Sequence, residues 1–266
     1  MKKRVVSAIV MLLIFVPLLI IGGTIFNIGL VLISLMGLYE FLKVKENKKE
    51  LPLFIKIISY VFFLLMIMVN VTNKDYALKM DYCIISGLFL TFLVPTILYH
   101  DDKKYSINDA FYLVGGIFFL SLSFSLLSYM RGKSINLFIY LLLITIITDT
   151  FAYITGRLIG KNKLIEVISP NKTWEGTIGG TLFGVFISTV FYVTVINPNI
   201  NIFLIIFISL FLSIVGQFGD LFFSAIKRYY GTKDFSNLIP GHGGILDRLD
   251  SIIFVVLGAM FFITIL

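Results

Sequence analysis

The sequence predicts an all-α, polytopic integral membrane protein with about nine transmembrane helices. Of the 266 residues, 58% are hydrophobic and 14% are charged, whereas soluble domains are about 25% charged. The mean hydropathy is +0.99, and a soluble fold of this composition would need a core too large for its surface. Several apolar runs reach the ~20 residues that a helix needs to cross a bilayer, which favours helices over the shorter strands of a membrane barrel.

Nine apolar runs follow one another along the chain. The first, within "MKKRVVSAIVMLLIFVPLLIIGG", resembles a signal peptide, but it lacks a small-x-small cleavage site and another apolar run follows at once. We therefore interpret it as an uncleaved first helix. The first two runs share the short break "GGTIFN", which leaves a re-entrant pair open as an alternative. The predicted spans are 5–22, 25–42, 53–71, 82–99, 110–129, 135–156, 175–196, 201–223 and 244–265.

The distribution of lysine and arginine predicts a cytoplasmic N-terminus and places the longest polar stretches on the cytoplasmic side of the cell (inner or plasma) membrane. With this orientation the inner segments hold sixteen basic residues, whereas the outer loops hold only Lys74, Lys79, Arg131 and Lys133. The positive-inside rule therefore accounts for the net charge of +7, and no nucleic-acid partner is predicted. The inner segments are 1–4, 43–52, 100–109, 157–174 and 224–243.

The longest polar stretches suggest a division of the chain into two regions. Residues 1–134 form N-terminal membrane helices, for which a lipid entrance and a homodimer contact are both open roles. Residues 135–266 form a catalytic membrane region that includes the cytoplasmic loops 157–174 and 224–243.

Three predicted spans carry aspartates near the inner end, and the first two of these spans hold Asp149 and Asp220. Asp149 lies about two turns inside its span, where a carboxylate costs free energy unless a cation, a partner or water meets it. Pairing with a lysine for helix packing is the alternative. In "GQFGDLFFSAIKRYYGTKD", Asp220, Ser224 and Lys227 are spaced i, i+4, i+7 and share one helical face. Arg228 extends this face if the helix continues beyond the bilayer, although basic residues collect on the inner side in any case.

The stretch "PGHGGILDRLD" joins a glycine-rich loop to the last predicted span. Its proline and glycines allow unusual backbone dihedrals and close approach to a ligand. Asp247 and Asp250 then lie on the first turns of the helix with Arg248 beside them, where the free N–H groups suit a phosphate. Capping would explain one aspartate but not both. For His242, between two glycines, loop positioning and substrate contact are both open.

The aspartates and bases together predict phosphate chemistry at the cytoplasmic membrane face. Carboxylates at one depth repel each other unless cations intervene, and ligands that are all oxygen favour Mg²⁺. The single cysteine, Cys83, gives no zinc spacing, and bases around the site favour phosphate groups. Whether one or two cations bind is open. The predicted metal ligands are Asp149, Asp220, Asp247 and Asp250.

The run from Ser224 to Asp250, "SAIKRYYGTKDFSNLIPGHGGILDRLD", resembles the signature of the phosphatidate cytidylyltransferases (CDP-diacylglycerol synthases). The upstream segments "TDTFAYITGR" and "SPNKTWEG" are also similar to segments of that family. Two positions depart from the pattern. Phe223 stands where the family usually has a glutamate, and Phe235-Ser236 stands where it often has Ser-Gly.

The resemblance implies a nucleotidyltransferase of phospholipid biosynthesis that condenses CTP with phosphatidate in the bilayer to give CDP-diacylglycerol and pyrophosphate. A related CTP-dependent lipid kinase and an ion-coupled transporter are the alternatives. The residues expected to take part in catalysis are Asp220, Asp247, Lys227 and Arg248. Those expected to bind substrate are Lys172, Ser224, Arg228, Lys233, Asp234, His242, Gly243 and Gly244.

Overall fold

The computed structural model describes residues 2–72, 79–99 and 101–266, apart from the side chains of residues 2–5 and 8. Its nine α-helices in these ranges confirm the all-α prediction, and each overlaps one predicted span. Lys74 lies outside the described residues. The helices are α1 Lys2–Ile21, α2 Gly23–Glu46, α3 Leu53–Val71, α4 Tyr82–Tyr99, α5 Ile107–Lys133, α6 Ile135–Ile159, α7 Trp174–Phe191, α8 Ile202–Tyr229 and α9 Leu246–Ala259. A π-helical turn, Tyr192–Ile196, continues α7, and a 3₁₀ turn, Met260–Phe262, continues α9.

Seven of the helices in the described ranges, α2 to α8, are long and apolar enough to cross a membrane. In α1 the apolar part that is described is shorter, Ile9–Ile21. Helix α9 has 14 residues, and Asp247, Arg248 and Asp250 occupy its first turns. The polytopic membrane architecture is therefore confirmed.

Several helices continue further into charged residues than the apolar runs predicted. Helix α2 extends to Glu46 because its last turn makes ion pairs instead of entering a loop. Lys45 of α2 and Lys49 just after it both pair with Asp109 near the start of α5. Lys45 and Asp109 are buried. These charges therefore fasten two helices together, a role that hydropathy does not indicate.

The chain forms two compact units, residues 1–132 with 230–247 and residues 133–229 with 248–266. In the first unit, α1 and α2 are separated at Gly22 and Gly23, whose φ angles are 66° and 53°. Arg131 of α5 donates to the carbonyl oxygens of Leu19 (2.7 Å) and Ile20 (3.2 Å) at the end of α1. A cation is favourable at a helix C-terminus, so this contact fixes the break between α1 and α2.

In the second unit, α6 and α7 pack backbone against backbone along a row of glycines. Gly176, Gly180 and Gly184 are spaced at i, i+4 and i+8 on α7 and are all buried. A Cβ atom at Gly180 would lie 2.5 Å from the carbonyl oxygen of Thr148 and 2.8 Å from the Cβ atom of Ala152. Small residues serve this purpose in membrane helices, whose packing depends on close contact.

Hydrogen bonds between side chains orient α8 against α6 and α7 in the same unit. Thr148 Oγ1 and Ser213 Oγ are 2.9 Å apart, and Gln217 Nε2 donates to Thr181 Oγ1 over 2.8 Å. On α8, Ser213 and Gln217 share a face with Asp220, since the three residues are spaced at i, i+4 and i+7. The polar contacts therefore turn Asp220 towards the interior of the unit.

The polar segment between α6 and α7 contains a short antiparallel hairpin that sequence analysis treated only as a loop. Its strands are β1 Lys163–Ile165 and β2 Ser169–Thr173, with Lys163 opposite Thr173. The Thr173 hydroxyl accepts a hydrogen bond from Gly176 N over 3.1 Å and so caps the start of α7. Thr173, the last residue of β2, therefore joins the hairpin to the start of α7 through its hydrogen bond.

Substituting Gly180 by alanine is expected to destabilise the second unit. The added methyl group meets backbone atoms of α6, which cannot rotate away, so a cost of about 1–3 kcal/mol is expected from overpacking. Thermal unfolding in detergent should show a lower Tm for Gly180→Ala. Gly115→Ala is the control, because a Cβ atom at Gly115 meets nothing within 4 Å. Equal Tm values for the two variants would contradict the packing described for α6 and α7.

Candidate active site

Three aspartates from three helices of the second unit converge. Asp250 of α9 is within electrostatic range of Asp149 of α6 and Asp220 of α8. Ser251, next to Asp250, donates a hydrogen bond to Asp149 Oδ2 over 3.2 Å. Helices α8 and α9 approach so closely that a Cβ atom at Gly219 would lie 2.6 Å from the carbonyl oxygen of Asp250. The structure thus brings together three of the four aspartates that the sequence singled out.

Asp220 is the best-connected member of this cluster. Its Oδ2 atom pairs with Lys172 Nζ at 2.6 Å, and its Oδ1 atom accepts a hydrogen bond from Ser224 Oγ at 3.3 Å. Lys172 comes from β2 and Ser224 from the next turn of α8. The side chains of Lys172 and Asp220 are 26% and 28% exposed, and Asp149 is an exposed residue, so a ligand can reach the cluster.

The bases at the end of α8 differ in their surroundings. Helix α8 continues to Tyr229, which meets the condition under which Arg228 extends the helical face of Asp220, Ser224 and Lys227. Lys227 is buried and interacts electrostatically with Asp250. Arg228 is exposed, and its Nε atom donates to the carbonyl oxygen of Ile168 in the hairpin over 3.2 Å. Arg248 on α9 is exposed. Lys227 therefore lies near Asp250, and Arg228 connects the end of α8 to the hairpin.

The glycine-rich segment and Asp247 belong to the first unit. Asp247 Oδ2 accepts hydrogen bonds from Gly244 N (2.8 Å) and Phe235 N (2.9 Å). Gly243, with a φ of 81°, lies so close that a Cβ atom there would be 2.9 Å from the same oxygen. This oxygen of Asp247 therefore holds two backbone amides of the loop that precedes α9, while a metal-binding role for Asp247 stays a prediction. Lys233 and Asp234 are exposed on the same segment.

His242 is connected to the first helix. Its Nδ1 atom lies 2.7 Å from Ser7 Oγ, and the Ser7 hydroxyl donates to the carbonyl oxygen of Pro240 over 3.0 Å. This contact shapes the loop. A contact between His242 and substrate stays a prediction.

Glu40 of α2 is a residue of this region that sequence analysis did not identify. It is fully buried and accepts hydrogen bonds from Ser236 Oγ at 2.5 Å and from the backbone N–H groups of Ile245 and Leu246 at 2.8 Å each. The available signal was an acid near the inner end of an apolar span, the same signal that drew attention to Asp149 and Asp220.

Phe223, which departs from the family pattern, is an apolar packing residue. It is fully buried on α8, and its ring meets the ring of Phe254 on α9 edge to face, with centroids 6.4 Å apart. The second unit therefore contains an aromatic contact between α8 and α9 at the position where the resemblance leads to the expectation of a glutamate.

The chemistry of the donors in the second unit fits a hard divalent cation. Asp149, Asp220 and Asp250 supply only oxygen ligands, and their mutual repulsion is reduced when a cation binds. Within the part of the chain that the structure describes, no three His, Cys, Asp or Glu side chains are grouped closely enough to hold a metal ion.

Comparison with known proteins identifies the family. The sequence model described as the cytidylyltransferase family matches residues 2–266. The chain belongs to this family. Among its relatives, the phosphatidate cytidylyltransferases of Staphylococcus haemolyticus (strain JCSC1435) and Staphylococcus epidermidis (strain ATCC 12228 / FDA PCI 1200) are each 36% identical over 257 residues, 96% of both chains. The phosphatidate cytidylyltransferase of Staphylococcus aureus (strain COL) is 34% identical over the same length, again 96% of both chains.

The cytidylyltransferase match confirms the resemblance found in the C-terminal half and extends it. Because the match begins at residue 2, it includes α1 and α2, and with them Ser7 and Glu40. The N-terminal helices that contact the glycine-rich segment are therefore part of the cytidylyltransferase fold.

The Lys172–Asp220 pair is expected to couple energetically. Lys172→Met and Asp220→Asn should be less destabilising together than the sum of the single changes, by roughly 0.5–3 kcal/mol, because each single change leaves a partly buried charge without its partner. Thermal unfolding of the four proteins in detergent measures this. Lys163, whose Nζ atom bonds to the carbonyl oxygen of Pro170, provides the control, and Lys163→Met should be additive with Asp220→Asn. Additivity for Lys172 as well would show that the ion pair contributes nothing.

Proposed function

We propose that this protein transfers the cytidylyl group of CTP to phosphatidate, giving CDP-diacylglycerol and pyrophosphate, in the biosynthesis of phospholipids. The observation that carries this proposal is the convergence of Lys172, Asp220 and the two other aspartates from segments far apart in the sequence. Relatives named phosphatidate cytidylyltransferase that are 34–36% identical over 96% of the chain support the choice of CTP and phosphatidate.

The bases of the second unit are suited to bind the phosphate groups of both substrates. Lys172 and Lys227 lie beside the acids, where they can neutralise charge on phosphate oxygens. Lys172 can exchange its carboxylate partner for a phosphate, since both are anionic oxygen acceptors. Arg228 and Arg248 are exposed and can contact phosphate groups that reach the site from outside.

The reaction is an in-line displacement at phosphorus. An oxygen of the phosphatidate phosphate forms a bond to the α-phosphorus of CTP, the bond from that phosphorus to the oxygen bridging to the β-phosphate breaks, and pyrophosphate leaves with this electron pair. The lipid phosphate is already an anion near neutral pH, so the protein need not remove a proton from the nucleophile. The principal contributions of the protein are therefore orientation and charge neutralisation.

Asp149, Asp220 and Asp250 are the residues of the second unit that would hold Mg²⁺. When bound, the cation supplies Lewis-acid stabilisation of the charge that develops on the phosphate oxygens. Asp220 would then release Lys172 towards a phosphate group. Ser224 keeps a hydrogen bond to Asp220 and so maintains the orientation of that carboxylate.

The position of the site agrees with a lipid substrate and a soluble nucleotide. Its bases and the hairpin lie where membrane helices end, at Ile159, Trp174 and Tyr229, and basic residues are concentrated in the segments assigned to the cytoplasmic side. A cytoplasmic orientation would give CTP access from water and phosphatidate access from the bilayer.

Replacing the acids of the cluster is expected to slow the reaction strongly. Asp220→Asn and Asp250→Asn each remove a carboxylate charge but keep the side-chain size, and a loss on the order of a hundredfold or more in kcat is expected when charge stabilisation at the reacting phosphate is lost. The measurement is incorporation of labelled CTP into lipid by purified protein. Glu166→Gln, an exposed acid of the hairpin, should retain activity. Activity near wild type in Asp220→Asn would exclude it as a ligand or orienting group.

The fate of the nucleotide distinguishes transfer from phosphorylation. With CTP labelled at the α-phosphate, label should enter the lipid, and with CTP labelled at the γ-phosphate it should appear in pyrophosphate. A lipid kinase would instead transfer the γ label to lipid and release CDP. A chelator should stop the reaction and Mg²⁺ should restore it. Label transport into vesicles without a change of bonding in the nucleotide would support a transporter and contradict the proposal.

A further inference from the structure

The start of α9 receives its cap from another helix. The first N–H groups of an α-helix have no partner within the helix and need an acceptor. The residues just before Leu246, Gly244 and Ile245, have no side chain that can accept a hydrogen bond. Glu40 of α2 takes this role, since its carboxylate accepts from Ile245 N and Leu246 N at 2.8 Å each. A carboxylate is favourable at this position because the helix dipole is positive there.

Glu40 and Asp247 hold the two ends of the same loop in an interlocked way. At one end, Phe235 N donates to Asp247 Oδ2 and the neighbouring Ser236 Oγ donates to Glu40 Oε1. At the other end, Gly244 N donates to Asp247 Oδ2 and the neighbouring Ile245 N donates to Glu40 Oε1. Residues 235–246 are therefore closed into a loop by two carboxylates, and only one of them, Asp247, belongs to the signature.

The face of α2 that carries Glu40 is shaped to receive this loop. A Cβ atom at Gly244 would collide with the Glu40 carboxylate, so only glycine allows the approach. One turn earlier on α2, a Cβ atom at Gly37 would lie 3.2 Å from Leu246 Cδ2. Leu38 and Phe41, which flank the position, are buried. Glycines on both partners place the carboxylate directly on the backbone of the loop.

Stability alone does not explain why a carboxylate is buried at position 40. Taking the charge out of water is costly, and an apolar side chain of similar size is often at least as stabilising. The partners of Glu40 shown above are two backbone amides and a hydroxyl rather than a lysine or arginine. Its bonds therefore fix a backbone conformation, which is the contribution that a binding loop requires.

We propose that Glu40 is a positioning residue for cytidylyl transfer: it acts through the loop 235–246 and keeps the glycine segment and Asp247 in the geometry that the reaction uses. This inference rests on the proposed function. Glu40 does not need to touch substrate, because its carboxylate is already directed at the loop. The N-terminal helices thereby contribute to activity through one side chain of α2.

The test compares Glu40→Gln with Glu46→Gln on the same helix. Glutamine keeps the size of Glu40 but loses the charge and turns an N–H₂ group towards the loop amides. Glu46 pairs with Lys56 instead, and its replacement should leave kcat within about twofold, the effect of a surface ion pair. For Glu40→Gln, kcat should fall on the order of tenfold to a hundredfold, the range expected for lost hydrogen bonds to a charged group, with Tm changed by only a few degrees. Glu40→Asp, which keeps the charge, should recover part of the loss.

Hydrogen exchange separates positioning from general destabilisation. In Glu40→Gln the amides of Ile245 and Leu246 should exchange roughly tenfold faster or more, while the amides in the middle of α2 and α5 stay protected. A loss of kcat with protection lost throughout the unit would assign Glu40 a structural role only and overturn the proposal. An unchanged kcat and unchanged exchange at these two amides would also overturn it. If wild-type protein forms no CDP-lipid at all, the proposed function fails, and that result is independent of the exchange measured at the loop.

Discussion

A carboxylate inside an apolar helix bundle must be met by a specific partner, and this constraint organises the structure. Water is not available in the hydrocarbon region to stabilise the charge, so each buried or half-buried acid is matched to a donor. Asp109 is matched by Lys45 and Lys49, Asp220 by Lys172, and Glu40 by amides of the glycine-rich loop. Because each match ties two segments together, the acids are also the points at which helices, hairpin and loop are fixed.

Close helix packing determines where these acids lie. The glycines of α7 bring its backbone against α6 near Thr148, and the hydroxyl of Thr148 in turn contacts Ser213 of α8. Asp149 follows Thr148 directly in the sequence, so the contact that packs the helices also fixes the height of this carboxylate. Gly219 has the same effect between α8 and α9, next to Asp250. Small residues therefore position the charged ones, and a change in packing would act on the site without touching an acid.

The helices and much of the acidic cluster could be predicted from the sequence, because hydropathy and helical spacing follow from simple geometry. Hydropathy locates spans because a bilayer requires long apolar runs, and i, i+4, i+7 spacing places Asp220, Ser224 and Lys227 on one face. Helix ends such as that of α2 were missed, because charges that pair across helices are indistinguishable in sequence from charges in a loop. The hairpin at 163–173 was missed since strands of three and five residues carry too little pattern.

Glu40 was not found for a different reason: its partners are backbone amides more than 200 residues away in the chain. No side-chain pattern predicts such a contact. The one sequence signal for it is an isolated acid in an apolar span.

The contacts of Phe223 and Ser236 explain how the chain accommodates its two departures from the family pattern. At position 223 the ring fills the α8–α9 interface against Phe254, and an ionised glutamate placed in this fully buried position would need a partner of its own. At position 236 a serine provides the hydroxyl that donates to Glu40 at 2.5 Å, a bond that glycine cannot make. In this chain position 223 therefore carries no charge, and position 236 supplies a donor to the buried carboxylate of Glu40.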